Sequence, residues 1–254
     1  MSEAENPDGR GALFTKGRSS PGQVSEVRRI QPWMVLYGLW FLFLVAVWIV
    51  GPFLAAGTLR WPACWLYFAT LGAGLLLHGR AVSRRNPALR ERRKRVGAGT
   101  KTWDKVWNFL FWPLMIAVVL IAGFGVRFGW AAMPAGLFAV GAALLAAGLS
   151  LSAWAMSVNP HFEGTVRIQS DIGHRVIDQG PYRSLRHPGY AGLALWALAT
   201  PFLLLSWRAL FAAGAVVAWV GLRTALEDCL LRRELSGYEG YAQRVRYRLV
   251  PGVW

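Results

Sequence analysis

The chain has 254 residues, 55% of them apolar and only 16% charged, with 14 tryptophans and a formal net charge of +15. A soluble domain is normally about a quarter charged, so the deficit excludes a water-solvated globule over much of the length. The positive charge raises nucleic acid as a partner, but basic loops beside apolar spans account for it through the positive-inside rule and anionic headgroups, and no nucleic-acid partner is expected.

In chain order, residues 1–32 mix charges with Gly, Pro and Ser and lack the apolar core of a cleavable leader, which predicts a disordered cytoplasmic tail ahead of one membrane domain, 33–254. Apolar runs near 33–56, 61–79, 107–125, 130–156, 188–206 and 209–226 approach the roughly 20 residues a transmembrane helix needs. Small residues recur in the fourth run (Gly136, Gly141, Ala142, Ala146, Gly148) and suit close helix contact. The connections 57–60, 126–129 and 206–208 each carry one arginine (Arg60, Arg127, Arg208) and no acid. The other 25 Lys and Arg, with all 13 acids, fall on the alternate side. That alternation predicts an all-α polytopic bundle of about six spans with both termini cytoplasmic.

The basic segment 80–105 reads as a topology and headgroup element. Residues 160–192 are longer than a minimal connector, and Ile168, Val176, Ile177, Tyr182 and Leu185 give them apolar anchors. The run enters the fifth span through Arg186, His187, Pro188 and Tyr190, where Pro188 suits a first helical turn. At the exit of the sixth span, Arg223 and Glu227 share a helix face and Asp228 adjoins them. Adjacent carboxylates at a membrane boundary are costly unless solvated, paired or holding a ligand; a solvated end with Arg223 and Arg232 as counter-ions is the plainer reading. Cys64 and Cys229 belong to no CxxC or Cys/His cluster, His161 and His174 lack metal-ligand spacing with His187, and no metal is expected. No GxSxG, HExxH or P-loop is present.

The run Gly180-Pro181-Tyr182-Arg183-Ser184-Leu185-Arg186-His187-Pro188-Gly189-Tyr190-Ala191-Gly192, followed one apolar hairpin later by Glu227-Asp228, resembles the isoprenylcysteine carboxyl methyltransferase (ICMT) family. That family's pattern is GPY, then RHPxYxG, then two glutamates near the end of the last span. The tail GYEGYAQRVRYRLVPGVW is similar to that of bacterial members. The resemblance covers the last hundred residues. It implies S-adenosyl-L-methionine as methyl donor, a cytoplasmic-side cofactor pocket in the half 157–254, a short C-terminal helix, a bacterial inner membrane location and an apolar or lipid-like acceptor. By the same resemblance Tyr182, His187, Pro188, Tyr190 and Gly192 surround the cofactor, with Gly192 admitting close backbone approach, while Glu227 and Asp228 hold its polar groups. Arg186 and Arg223 are candidates to orient an anionic acceptor or the cofactor's carboxylate, and Glu227 is the nearest base. A sterol-reductase-like NADPH enzyme and a non-catalytic lipid-binding membrane protein are the alternatives. The sequence sets neither the acceptor nor an oligomeric state.

Overall fold

The computed structural model describes residues 32–89 and 99–254. The expected tail lies outside the described residues except for Pro32, as does the middle of the basic segment 80–105. Two compact units divide the chain, Met1–Leu39 and Trp40–Trp254; of the first, only the opening of a helix is described.

The helices are α1 (Pro32–Ala56), α2 (Pro62–Arg85), α3 (Thr102–Arg127), α4 (Leu137–Val158), α5 (Pro188–Leu203), α6 (Ala209–Glu234) and α7 (Tyr238–Arg244). Short 3-10 turns at Ser170–Ile172 and Gly180–Arg183 interrupt the loop between α4 and α5. No strand is present among the described residues; one isolated bridge joins Ala132 to Ser206. Each expected apolar run falls on a helix. Among the described residues four helices are long and apolar enough to cross a membrane (α1 from Gly38, α3, α4 and α6), and the chain is an integral membrane protein. At 16 residues α5 is shorter than a full crossing requires, and α2 dilutes its leucines with Tyr67, Thr70 and His78.

Element ends follow local chemistry. Pro62 and Pro188 open α2 and α5 from the first turn, where the missing N–H is no loss. Asn86 closes α2 and reaches back through Nδ2 to the carbonyls of Met156 (2.9 Å) and Asn159 (3.3 Å), satisfying orphan acceptors at the end of α4. The fourth run was expected from residue 130, but the helix begins at Leu137. Residues 130–136 instead meet the α5–α6 turn, where the Met133 N–H donates to the Leu205 carbonyl and Leu205 takes a left-handed φ of 55°.

The core runs along α2, α3, α4, α5 and α6, around Tyr67, Met115, Val118, Leu145, Leu203 and Val216. Helices α4 and α5 approach closely. A Cβ on Gly192 would lie 2.5 Å from the Gly148 carbonyl oxygen, so the two backbones touch where a side chain would hold them apart. Gly192, expected to admit a cofactor, packs here against the Gly148 carbonyl. Against this frame the start of α3, the start of α5 and the end of α6 come together at one end of the bundle, and α7 and the tail close over them.

Candidate functional site

Two clusters of buried charge occupy that end, built on neighbouring residues of α6. The first centres on Asp228, 1% exposed. Arg186 grips it with two hydrogen bonds, Nε to Oδ1 at 2.8 Å and a terminal nitrogen to Oδ2 at 3.2 Å. Arg232 and Arg248 donate to Oδ2 at 3.2 and 3.0 Å, and Tyr238 donates to Oδ1 at 3.0 Å. His187 Nε2 lies 3.3 Å from Oδ1. Burial, reinforced by Asp228, raises the Tyr238 hydroxyl well above the ordinary tyrosine value and keeps it a donor. The other terminal nitrogen of Arg186 donates to the carbonyls of Val245 and Arg246, both at 2.9 Å, and the backbone N–H groups of Arg186 and His187 donate to Tyr247 and Arg248. The run RH of RHPGYAG is therefore stitched to the C-terminal tail.

This changes two expectations. The plainer reading of Asp228 as part of a solvated helix end is replaced by a buried hub, whose oxygens are filled by protein donors. Arg186, expected to orient an anionic acceptor or the cofactor's carboxylate, has its guanidinium committed to Asp228 and to tail carbonyls. Tyr182 is likewise walled in: its hydroxyl accepts from Asn159 Nδ2 at 3.0 Å and its carbonyl accepts from the Tyr241 hydroxyl at 2.8 Å. Pro188 is buried at the head of α5.

The second cluster faces the other side of α6. Arg223, 6% exposed, forms an ion pair at 2.8 Å with Asp104 of α3, which is fully buried. Asp104 also accepts the Val166 N–H at 2.8 Å, and Arg223 donates to the Gly164 carbonyl at 3.0 Å, so one ion pair pins the α4–α5 loop to two helices. The guanidinium lies 4.2 Å from the centre of the Trp107 ring and 5.2 Å from that of Tyr190. Its Nε is buried without a hydrogen-bond partner among the described residues. Glu227, half-buried, accepts the Tyr190 hydroxyl on one oxygen, and its other oxygen has no protein donor among the described residues. The expected i,i+4 relation of Arg223 and Glu227 thus yields no ion pair between them; Arg223 turns to Asp104 instead.

Asp104 is the residue that sequence reasoning missed. It is the only acid between Glu91 and Glu163, at the mouth of an apolar run, and that isolation is the available signal. Farther along the loop, the His161 and His174 rings lie 4.7 Å apart, tilted by 37°. Burial, with His161 and Arg167 nearby, pushes His174 down to about 4, which agrees with its Nδ1 accepting the Gln169 N–H at 3.3 Å.

Comparison with known proteins meets the site at this point. Residues 140–233 match the model of the Isoprenylcysteine carboxyl methyltransferase (ICMT) family, the same family that the GPY, RHPGYAG and Glu227-Asp228 elements resemble. A rice protein (Oryza sativa subsp. indica) named "Probable protein-S-isoprenylcysteine O-methyltransferase" is 36% identical over 87 residues, 33% of this chain and 45% of that protein. "Protein-S-isoprenylcysteine O-methyltransferase B" of Arabidopsis thaliana is 31% identical over 87 residues, 33% of this chain and 44% of that one. The matches therefore span less than half the length of these relatives. A solved structure of a eukaryotic intramembrane Ras methyltransferase, ICMT, superposes over 88% of each chain with 18% identity and a TM-score of 0.45.

Proposed function

We propose that this chain is a polytopic membrane methyltransferase that moves a methyl group from S-adenosyl-L-methionine to an apolar, lipid-like acceptor bearing a carboxylate, amine or thiol. The observation that carries the reading is the cluster around Arg223: a buried guanidinium N–H without a partner beside a half-buried carboxylate with one oxygen to spare. A zwitterionic cofactor with an ammonium, a carboxylate and ribose hydroxyls matches those vacancies in sign and donor type. Asp228 does not match, because its acceptor capacity is already used.

The cofactor supplies an electrophilic methyl on a sulfonium. Glu227 accepts hydrogen bonds from the cofactor's polar groups, held in its rotamer by the Tyr190 hydroxyl. Arg223, fixed by Asp104 and by the Trp107 face, directs its free Nε–H at an anionic group of cofactor or acceptor. Arg223 holds Gly164 and Asp104 holds Val166, so the ion pair keeps the α4–α5 loop beside this cluster, where an aligned, partly desolvated cofactor would favour displacement at a cationic centre. His187, stacked 5.8 Å from Tyr190, joins the two clusters. Arg186, Tyr182, Pro188, Gly192 and Asp228 support this arrangement from behind.

The charge asymmetry supports a cytoplasmic location for this end and for both termini, and the tail motif supports a bacterial inner membrane. The test is incubation of purified protein with methyl-labelled S-adenosyl-L-methionine and a membrane lipid extract. A labelled product soluble in organic solvent is expected. Binding of NADPH with no labelled product at any acceptor would overturn the proposal.

A further inference from the structure

A concavity lies at the opposite end of the bundle, where α1 and α3 finish and α2 begins. It has a volume of about 770 Å³, within the range of about 300–1,000 Å³ typical of small-molecule sites. Ile49, Val50, Phe53, Trp65 and Phe68 form its apolar walls. Its polar members are Thr58, from the α1–α2 turn, and Arg127, the last residue of α3.

Arg127 donates from one terminal nitrogen to the Leu54 carbonyl at 2.8 Å, an acceptor in the last turn of α1 that also takes the Gly57 N–H at 3.2 Å. The rest of its guanidinium stays exposed, lying against Gly57, whose φ of +69° and missing Cβ leave it room: a Cβ there would sit 3.0 Å from the arginine. A neutral carbonyl does not balance a full positive charge. The turns at this end hold Arg60, Arg127 and Arg208 and contain no acid, and Arg208 is stacked on Trp130 at 3.9 Å. An apolar trough is thus joined to an exposed cation that pairs with no carboxylate among the described residues.

We propose that this groove binds one anionic phospholipid of the adjacent leaflet, with the phosphate against Arg127 and an acyl chain along Phe53, Trp65 and Phe68. Guanidinium and phosphate oxygens pair through charge-assisted hydrogen bonds, and the walls offer what an acyl chain wants. The inference rests on the membrane location alone and is independent of the methyltransferase reading.

The test uses the full chain in nanodiscs with brominated phosphatidylglycerol or brominated phosphatidylcholine. Quenching of Trp65, 54% exposed in this groove, is taken as the difference between wild type and Trp65→Phe, so the other tryptophans cancel. Half-quenching is expected at an about fivefold lower mole fraction of the anionic lipid, the effect of one basic residue at an anionic headgroup. Arg127→Gln should bring the two lipids to the same value with an unchanged melting temperature. Equal half-quenching in the wild type, or a preference that survives Arg127→Gln, would overturn the proposal. The wild-type comparison decides the matter alone if the variant does not fold.

Discussion

Glu227 and Asp228 are neighbours in sequence and opposites in circumstance. Asp228 is buried among Arg186, Arg232, Arg248, His187 and Tyr238, and every donor comes from the protein. Glu227 faces Tyr190 and the side of the helix that carries Arg223, with acceptor capacity left over. The difference follows from helix geometry: consecutive residues point about 100° apart, so two like charges one residue apart serve two separate environments. The lesson is that an acidic pair at the end of a span need not act as a pair. One carboxylate fastens the tail, and the other keeps an oxygen that the proposed function assigns to a ligand.

The largest effect is expected where the closed cluster is broken. Asp228→Ala leaves Arg186, 5% exposed, without its counter-ion. Removing one partner of a buried pair costs about 3–5 kcal/mol, so thermal unfolding in detergent should fall sharply and the tail should become open to protease. A melting temperature close to wild type would mean that the hub does not hold the tail. A smaller loss, about 1–3 kcal/mol from overpacking, is expected for Gly192→Ala, which drives a methyl group into the Gly148 carbonyl. If Gly192 serves packing, cofactor affinity per folded molecule should stay near wild type; a selective loss of affinity with normal stability would return it to the ligand.

The smallest effect is a pH dependence in the loop pinned by the open cluster. His174 is held down to about 4 by burial, against about 6.5 in the unfolded chain. A histidine with a depressed folded value binds its proton more readily when unfolded. Its contribution is therefore complete above about pH 6.5, shrinks as pH falls toward 4 and is gone below that. His174→Asn should flatten the fall in melting temperature between pH 7 and 4. Parallel wild-type and variant curves would exclude His174 as its source.

How much of this was legible in the sequence differs between fold and site for physical reasons. Hydropathy located the apolar runs, because avoidance of water is local to each residue. It placed helix ends poorly, since α2 continues to Arg85 and α6 to Glu234 beyond the expected limits, as hydrogen bonding does not stop where lipid does. The third run was expected from 107, while α3 starts at Thr102; a charged Asp104 reads as loop until Arg223, 119 positions later, is known to neutralise it. The motif residues were found, but their division between two clusters was not. Whether Arg186 faces a ligand or a tail carbonyl depends on residues 245 and 246, and no spacing within RHPGYAG encodes that distance.

The central claim is that Glu227 is the ligand-facing carboxylate. Its direct test is calorimetric titration of S-adenosyl-L-methionine into wild type and Glu227→Gln in detergent, with melting temperatures measured in parallel. A lost charged hydrogen bond, worth about 1.5–3 kcal/mol, should weaken binding about 10- to 100-fold, with stability within about 1 kcal/mol of wild type. Undiminished affinity in Glu227→Gln would contradict the account.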